Sequence, residues 1–206
     1  GDERQLKRVE VAEQTPEGLG IVATFVLKYI NVPYQISYLI RNDGSIMVKS
    51  RIKLENKELP EMLRFGMKMR LPKYENVWYY GRGPWENYSD RNSASFIGNY
   101  KCKVNDLKFD YIRPQENGYR TDVRFAEFTN DSGQGVRFEA VNMPFCFNAR
   151  YNADEDMDPG LTKKQQHPVD VDSRGELYVN IDYGQKGLGG NNSWGAQPLE
   201  KYRLKD

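Results

Sequence analysis

The sequence predicts an all-β fold, a large antiparallel sandwich. Apolar and polar residues alternate along several segments, clusters of Asn, Asp, Ser and Gly separate those segments, and no long stretch carries helical periodicity. A period of two marks a strand with one buried face. Many short alternating strands with regular turn signals mark a sandwich.

Strands begin near residue 20. Tyr34, Ile36, Tyr38 and Ile40 alternate with Gln35, Ser37, Leu39 and Arg41, the turn Asn42-Asp43-Gly44-Ser45 follows, and Ile46, Val48, Ser50, Ile52 and Leu54 alternate beyond it. This is a hairpin with Asp-Gly at its tip. Leu63, Phe65, Met67, Met69 and Leu71 read as the next half-buried strand, and another strand is expected to end at Tyr80. Val123, Phe125 and Glu127 lead to a turn at Asn130-Asp131-Ser132-Gly133, from which Val136, Phe138 and Ala140 return. Leu177, Val179, Ile181 and Tyr183 form a late strand that feeds a Gly-rich loop. Short helical turns are expected only near Glu86–Ser93 and Leu161–Gln165. With no composition shift, repeat or low-complexity linker, residues 1–206 read as one domain.

Composition narrows the function classes. A chain of 206 residues is long enough to bury a sizeable core. Thirty basic and 29 acidic residues give a net charge of +1, which leaves no footprint for nucleic acid or anionic membrane. No apolar run approaches the roughly 18 residues of a membrane span. Cys102 and Cys146 are too few for a disulfide framework and are expected as two free, mostly buried thiols. Gly1-Asp2-Glu3 lacks an initiator Met, and Gly1 reads as a scar of tag removal on a piece of a longer protein.

Residues 78–91 read Trp-Tyr-Tyr-Gly-Arg-Gly-Pro-Trp-Glu-Asn-Tyr-Ser-Asp-Arg. Gly81, Gly83 and Pro84 force a tight irregular turn. Rings beside carboxylates and an amide (Glu86, Asn87, Asp90, Arg91) suit sugar chemistry, because a sugar has apolar C–H faces and a rim of hydroxyls. This stretch resembles the C-terminal domain of bacterial β-galactosidases, where Gly-x-Gly-Pro-x-Glu-Asn-Tyr-x-Asp-Arg recurs. Two further segments match that family in order. One is Pro114-Gln115-Glu116-Asn117-Gly118 with Arg120, Asp122, Val123 and Arg124. The other is Gly187-Leu188-Gly189-Gly190-Asn191-Asn192-Ser193-Trp194.

The resemblance implies a galactose mutarotase-like supersandwich and a place in glycoside hydrolase family 2. It also implies a parent enzyme that hydrolyses terminal β-D-galactosides with retention. Both catalytic glutamates would lie on a separate (β/α)8 barrel of the same chain, and this domain would supply no catalytic residue. The implied partners are a lactose-like substrate, that barrel and further copies of the parent. Mg²⁺ and Na⁺ belong by resemblance to the barrel, so no cofactor is expected here. An edge strand or two of the sandwich is expected to lie before residue 1. The parent's compartment is not encoded in these residues.

Trp194 is the implied substrate contact, with Asn192 and Ser193 beside it. Five glycines between 184 and 195 leave little side-chain mass to bury its ring, although the indole could still fold back onto the core. Glu86 and Asp90 could be imagined as a catalytic pair, which needs about 5–5.5 Å between carboxyls for retention. The preferred reading pairs them with Arg82, Arg91 and loop N–H groups to fix the turn. Gly81, Gly83, Pro84, Glu86, Asn87, Asp90, Arg91 and Glu116 are thus expected as scaffold. His167, the only histidine, reads as a loop anchor; a stand-alone aldose 1-epimerase would need it and a glutamate for acid–base work. A carbohydrate-binding module without chemistry is the other alternative. Asp154–Gly160 lacks the Gly and Glu of an EF-hand loop and reads as a solvated acidic turn.

Overall fold

The computed structural model describes residues 3–54, 59, 61–158, 160, 166–192 and 194–204. They fall into two compact units, one up to residue 61 and one from residue 62.

The first unit is an antiparallel meander of β1 (Arg4–Thr15), β2 (Gly18–Leu27), β3 (Val32–Arg41) and β4 (Ile46–Ile52). The β3–β4 hairpin pairs Tyr34 with Ile52 and Ile40 with Ile46, as the alternation requires. Gly44 sits at φ 85° at its tip, where Asp43 Oδ1 accepts the Ser45 N–H at 2.8 Å. Positive φ is why glycine is needed there.

The second unit holds two four-stranded antiparallel sheets. One has the order β10 (Gly135–Glu139), β9 (Phe125–Thr129), β6 (Asn76–Gly83), β7 (Phe96–Lys103). The other has the order β5 (Arg64–Leu71), β12 (Leu177–Gln185), β11 (Phe145–Arg150), β8 (Arg120–Val123). Val77, Tyr79, Ala126 and Phe128 from the first meet Val123, Phe147, Ala149, Leu177 and Val179 from the second in one core. Phe147 stands edge-on to Tyr79 and Phe128, with ring centroids at 5.4 and 5.8 Å. The all-β sandwich is therefore as the alternation predicts. Among the described residues the only helical elements are single 3₁₀ turns, such as Asp154–Met157 and Pro168–Asp170.

Three local expectations need correction. The strand expected to end at Tyr80 runs on to Gly83, because Gly81 and Arg82 still pair with Gly98 and Ile97. No helical turn forms at Glu86–Ser93; Tyr88 and Arg91 instead exchange backbone hydrogen bonds in a tight turn, fixed by the neighbouring Asn87. The run from Val123 to Glu127 is broken at Arg124, whose N–H is drawn to Tyr80 C=O at 2.7 Å. The turn expected at Leu161–Gln165 lies outside the described residues. Cys102 and Cys146 are both unpaired and half-buried.

Candidate functional site

The 81–91 segment leaves the sandwich through the cis peptide Gly83-Pro84. Asn87 is fully buried and acts as its pin. Its amide N–H groups reach the carbonyls of Arg82 and Trp85, both at 3.0 Å. Its carbonyl oxygen accepts from Thr121 N–H at 3.1 Å and Thr121 Oγ1 at 2.6 Å. Tyr88 stacks on Tyr119 with centroids 5.5 Å apart and planes 8° from parallel.

The two carboxylates of this segment serve different neighbours. Glu86 Oε2 accepts the Gly118 N–H at 2.7 Å, and Oε1 accepts the Tyr111 hydroxyl. Asp90 accepts the N–H groups of Leu188 and Gly189, at 3.0 and 2.8 Å. Arg91 lies beside Asp90 at 3.3 Å and donates to the Gly189 carbonyl. Arg82, expected beside Glu86 and Asp90, pairs instead with Asp122 at 2.8 Å and with Ser95 C=O at 2.9 Å. The extension of β6 to Gly83 carries its guanidinium toward Asp122.

The Gly-rich loop lies directly against this segment. A Cβ on Gly187 would stand 2.7 Å from the Asp90 carboxyl carbon, so the approach requires glycine. The loop closes on itself: Gly190 N–H donates to Ala196 C=O at 2.6 Å. Asn192 Oδ1 accepts the N–H groups of Trp194 and Ala196, at 2.9 and 3.1 Å. Trp194 stands at the tip and is 91% exposed. Ser193 lies outside the described residues.

A second polar assembly covers one face of the β5-β12-β11-β8 sheet. Arg64 Nε donates to Asp182 at 2.6 Å, and Arg64 Nη1 lies 3.5 Å from Glu116. Glu116 accepts from the Asn148 amide at 2.6 Å, and Asn148 accepts from Asn180 at 2.8 Å. Burial pushes the Asp182 carboxyl up to about 6, against the pull of Arg64, and burial also raises Glu116. The Arg64 charge is opposed by burial but favoured more strongly by Asp182 and Glu116, so its pKa rises. Only Glu116 of this assembly stands in a motif that the sequence marks. Asn148, Arg150, Asn180 and Asp182 occupy the polar phase of alternating strands, a phase that reads as solvent-facing. Nothing local signals that it is buried.

The remaining candidates are placed without convergence. The His167 ring bonds to Ile112 C=O at 3.3 Å, while its backbone N–H is taken by Asp170 at 2.8 Å. In the acidic turn, Asp154 pairs with Arg150 and Lys68, and Asp156 with Arg174. Among the described residues no cluster of His, Cys, Asp and Glu is arranged to hold a metal ion.

The family model of the β-galactosidase small chain matches residues 2–206. The chain belongs to that family. It is 31% identical to a β-galactosidase of Halalkalibacterium halodurans over 98% of its own length and 20% of the relative's. A β-galactosidase of Priestia megaterium is 30% identical over 82% of this chain and 16% of that protein. One from Vibrio cholerae is 29% identical over 96% and 19%. This small-chain domain thus spans about a fifth of the length of these relatives.

Proposed function

We propose that this small-chain domain completes the galactoside pocket of a retaining β-galactosidase, with Trp194 as its substrate contact. The observation that carries the reading is an indole 91% exposed on a loop whose backbone is held by Asp90, Arg91 and Asn192. A loop backbone already held in place gives back less ordering entropy when a sugar face packs on the ring it carries. Asn192 serves this role through the loop, since its carbonyl oxygen is committed to backbone N–H groups.

The chemistry is assigned elsewhere in the parent. Glu86 and Asp90 already accept hydrogen bonds from Gly118, Tyr111, Leu188 and Gly189. Those bonds account for both carboxylates as holders of the turn and loop backbone. We take both catalytic glutamates to lie on a separate (β/α)8 barrel of the parent, as the family resemblance implies. The Mg²⁺ and Na⁺ that the family resemblance implies are proposed for that barrel too.

In the full-length parent, Trp194→Ala should raise KM for lactose several-fold, while the isolated chain melts at nearly its original temperature. Lost stacking of about 1 kcal/mol beyond area burial corresponds to about a fivefold change. A variant chain that loses several degrees of melting temperature, in an enzyme that keeps its KM, would make Trp194 a structural residue.

A further inference from the structure

The loop that presents Trp194 is anchored at its start by Lys186 N–H to Leu63 C=O at 2.9 Å and Gly187 N–H to Tyr202 C=O at 2.7 Å, and its next two residues are held by another segment. Leu188 and Gly189 offer two consecutive backbone N–H groups, and Asp90 meets each with a separate carboxylate oxygen, Oδ1 at 3.0 Å and Oδ2 at 2.8 Å. Arg91 takes the carbonyl of the same Gly189. Three backbone groups on two adjacent loop residues are therefore held by two adjacent side chains. The Asp90 side chain is only 10% exposed, so water competes weakly for these bonds. Gly187, the residue before them, packs close against the same carboxyl.

Asp90 is itself held firmly. Tyr88 and Arg91 exchange backbone hydrogen bonds at 3.2 and 2.8 Å around it. Tyr88 is buried against Tyr119, and Asn87 is pinned to Thr121. Rigid connections thus run from the β8 strand through Asn87 and Tyr88 to Asp90, and from Asp90 to the loop backbone that leads into Trp194. We propose that Asp90, backed by Arg91, is the positioning residue for Trp194: it sets where the indole stands, and through it the pocket's affinity for the galactoside. The proposal rests on Trp194 being the substrate contact.

The chemistry makes a sharp substitution available. Asp90→Asn keeps the shape but turns one acceptor into an N–H donor that faces another N–H. The clamp should open without loss of side-chain volume. In the full-length parent, Asp90→Asn should raise KM for lactose several-fold, with a smaller change in kcat. Hydrogen exchange of the peptide covering 186–196 should accelerate about tenfold or more, because the Leu188 and Gly189 amides lose their acceptor. In a Trp194→Ala background, the same substitution should change KM by less than about twofold, since residues that act through one another are not additive. Gly187→Ala, whose Cβ would displace the carboxyl, should reproduce the KM effect and guard against a folding defect peculiar to the Asp90→Asn variant.

The outcomes separate the two claims. If Trp194→Ala leaves KM unchanged, the substrate contact fails and this proposal falls with it. If Trp194→Ala raises KM but Asp90→Asn leaves KM or exchange at 186–196 untouched, Asp90 does not position the ring. If the two substitutions multiply in full, Asp90 acts on the pocket by another route and the proposal is overturned.

Discussion

At the scale of single residues, this domain depends on a few buried polar groups that tie separate segments together. Asn87 is the clearest case, with four hydrogen bonds that join Arg82, Trp85 and Thr121. Stranding a buried polar group costs about 1–3 kcal/mol. Asn87→Ala leaves several at once, so a loss of about 3 kcal/mol or more in denaturant unfolding is expected. A loss under about 1 kcal/mol would mean that water replaces the amide freely. Asp182 gives a pH-dependent case. Its carboxyl titrates near 6 in the folded chain because burial disfavours the charge, above the ordinary value of 3.8. A raised carboxyl contributes stability that is present at low pH and lost as pH climbs through the folded value. The stability gap between wild type and Asp182→Asn should therefore narrow from about pH 4 to about pH 7. A gap that widens over that range would show that Arg64 pairing outweighs the cost of burying the charge.

At the scale of elements, the sandwich is built around β6, β9, β11 and β12, and Phe147 sits where their rings meet. Phe147→Ala should cost about 3–5 kcal/mol, the range for a large buried ring that leaves a cavity. A milder effect would mean that Tyr79 and Phe128 collapse into the space. Sequence periodicity makes most of this legible. The β3–β4 hairpin, β5, β9–β10 and β12 all announce themselves by alternation and turn residues. β7 does not, because its inward positions are Gly98, Tyr100 and Cys102 while Phe96 and Ile97 are exposed. Its alternation is therefore weak. β9 is readable but out of phase. Ala126 and Phe128 face the core, whereas Phe125 turns outward, where Arg137 covers its ring at 3.9 Å and Trp78 meets it edge-on. An aromatic ring capped by a guanidinium looks apolar in sequence and behaves as surface in the fold. The Gly-rich loop and the 81–91 turn are each visible as motifs. That Asp90 joins them is not, because no local pattern encodes contact across 98 residues.

At the scale of the molecule, the core residues described above all belong to the unit spanning 62–205. A chain starting at Met62 is expected to keep a cooperative thermal transition; a broad, non-cooperative melt would show that the first unit is needed to complete the fold. The intact chain, separated from the rest of its parent, should release no product from a chromogenic β-galactoside above buffer. Turnover that is abolished by Glu86→Gln would overturn that expectation and make the loop carboxylates catalytic.

The contact between Asp90 and Gly189 spans 99 residues of chain, and this distance has a consequence in time. Sandwiches dominated by non-local pairing fold in milliseconds to seconds, because distant segments must first be brought together. The strands can collapse and pair before the clamp closes, whereas the clamp needs β6 and β12 already in register. In pulse-labelled refolding, the Leu188 and Gly189 amides should gain protection after those of the core strands. A population arrested just short of that step would have the circular dichroism and nearly the melting point of the finished domain, yet an indole that wanders. Preparations indistinguishable by spectroscopy would then differ in hydrogen exchange over residues 186–196, according to how completely this last contact had formed.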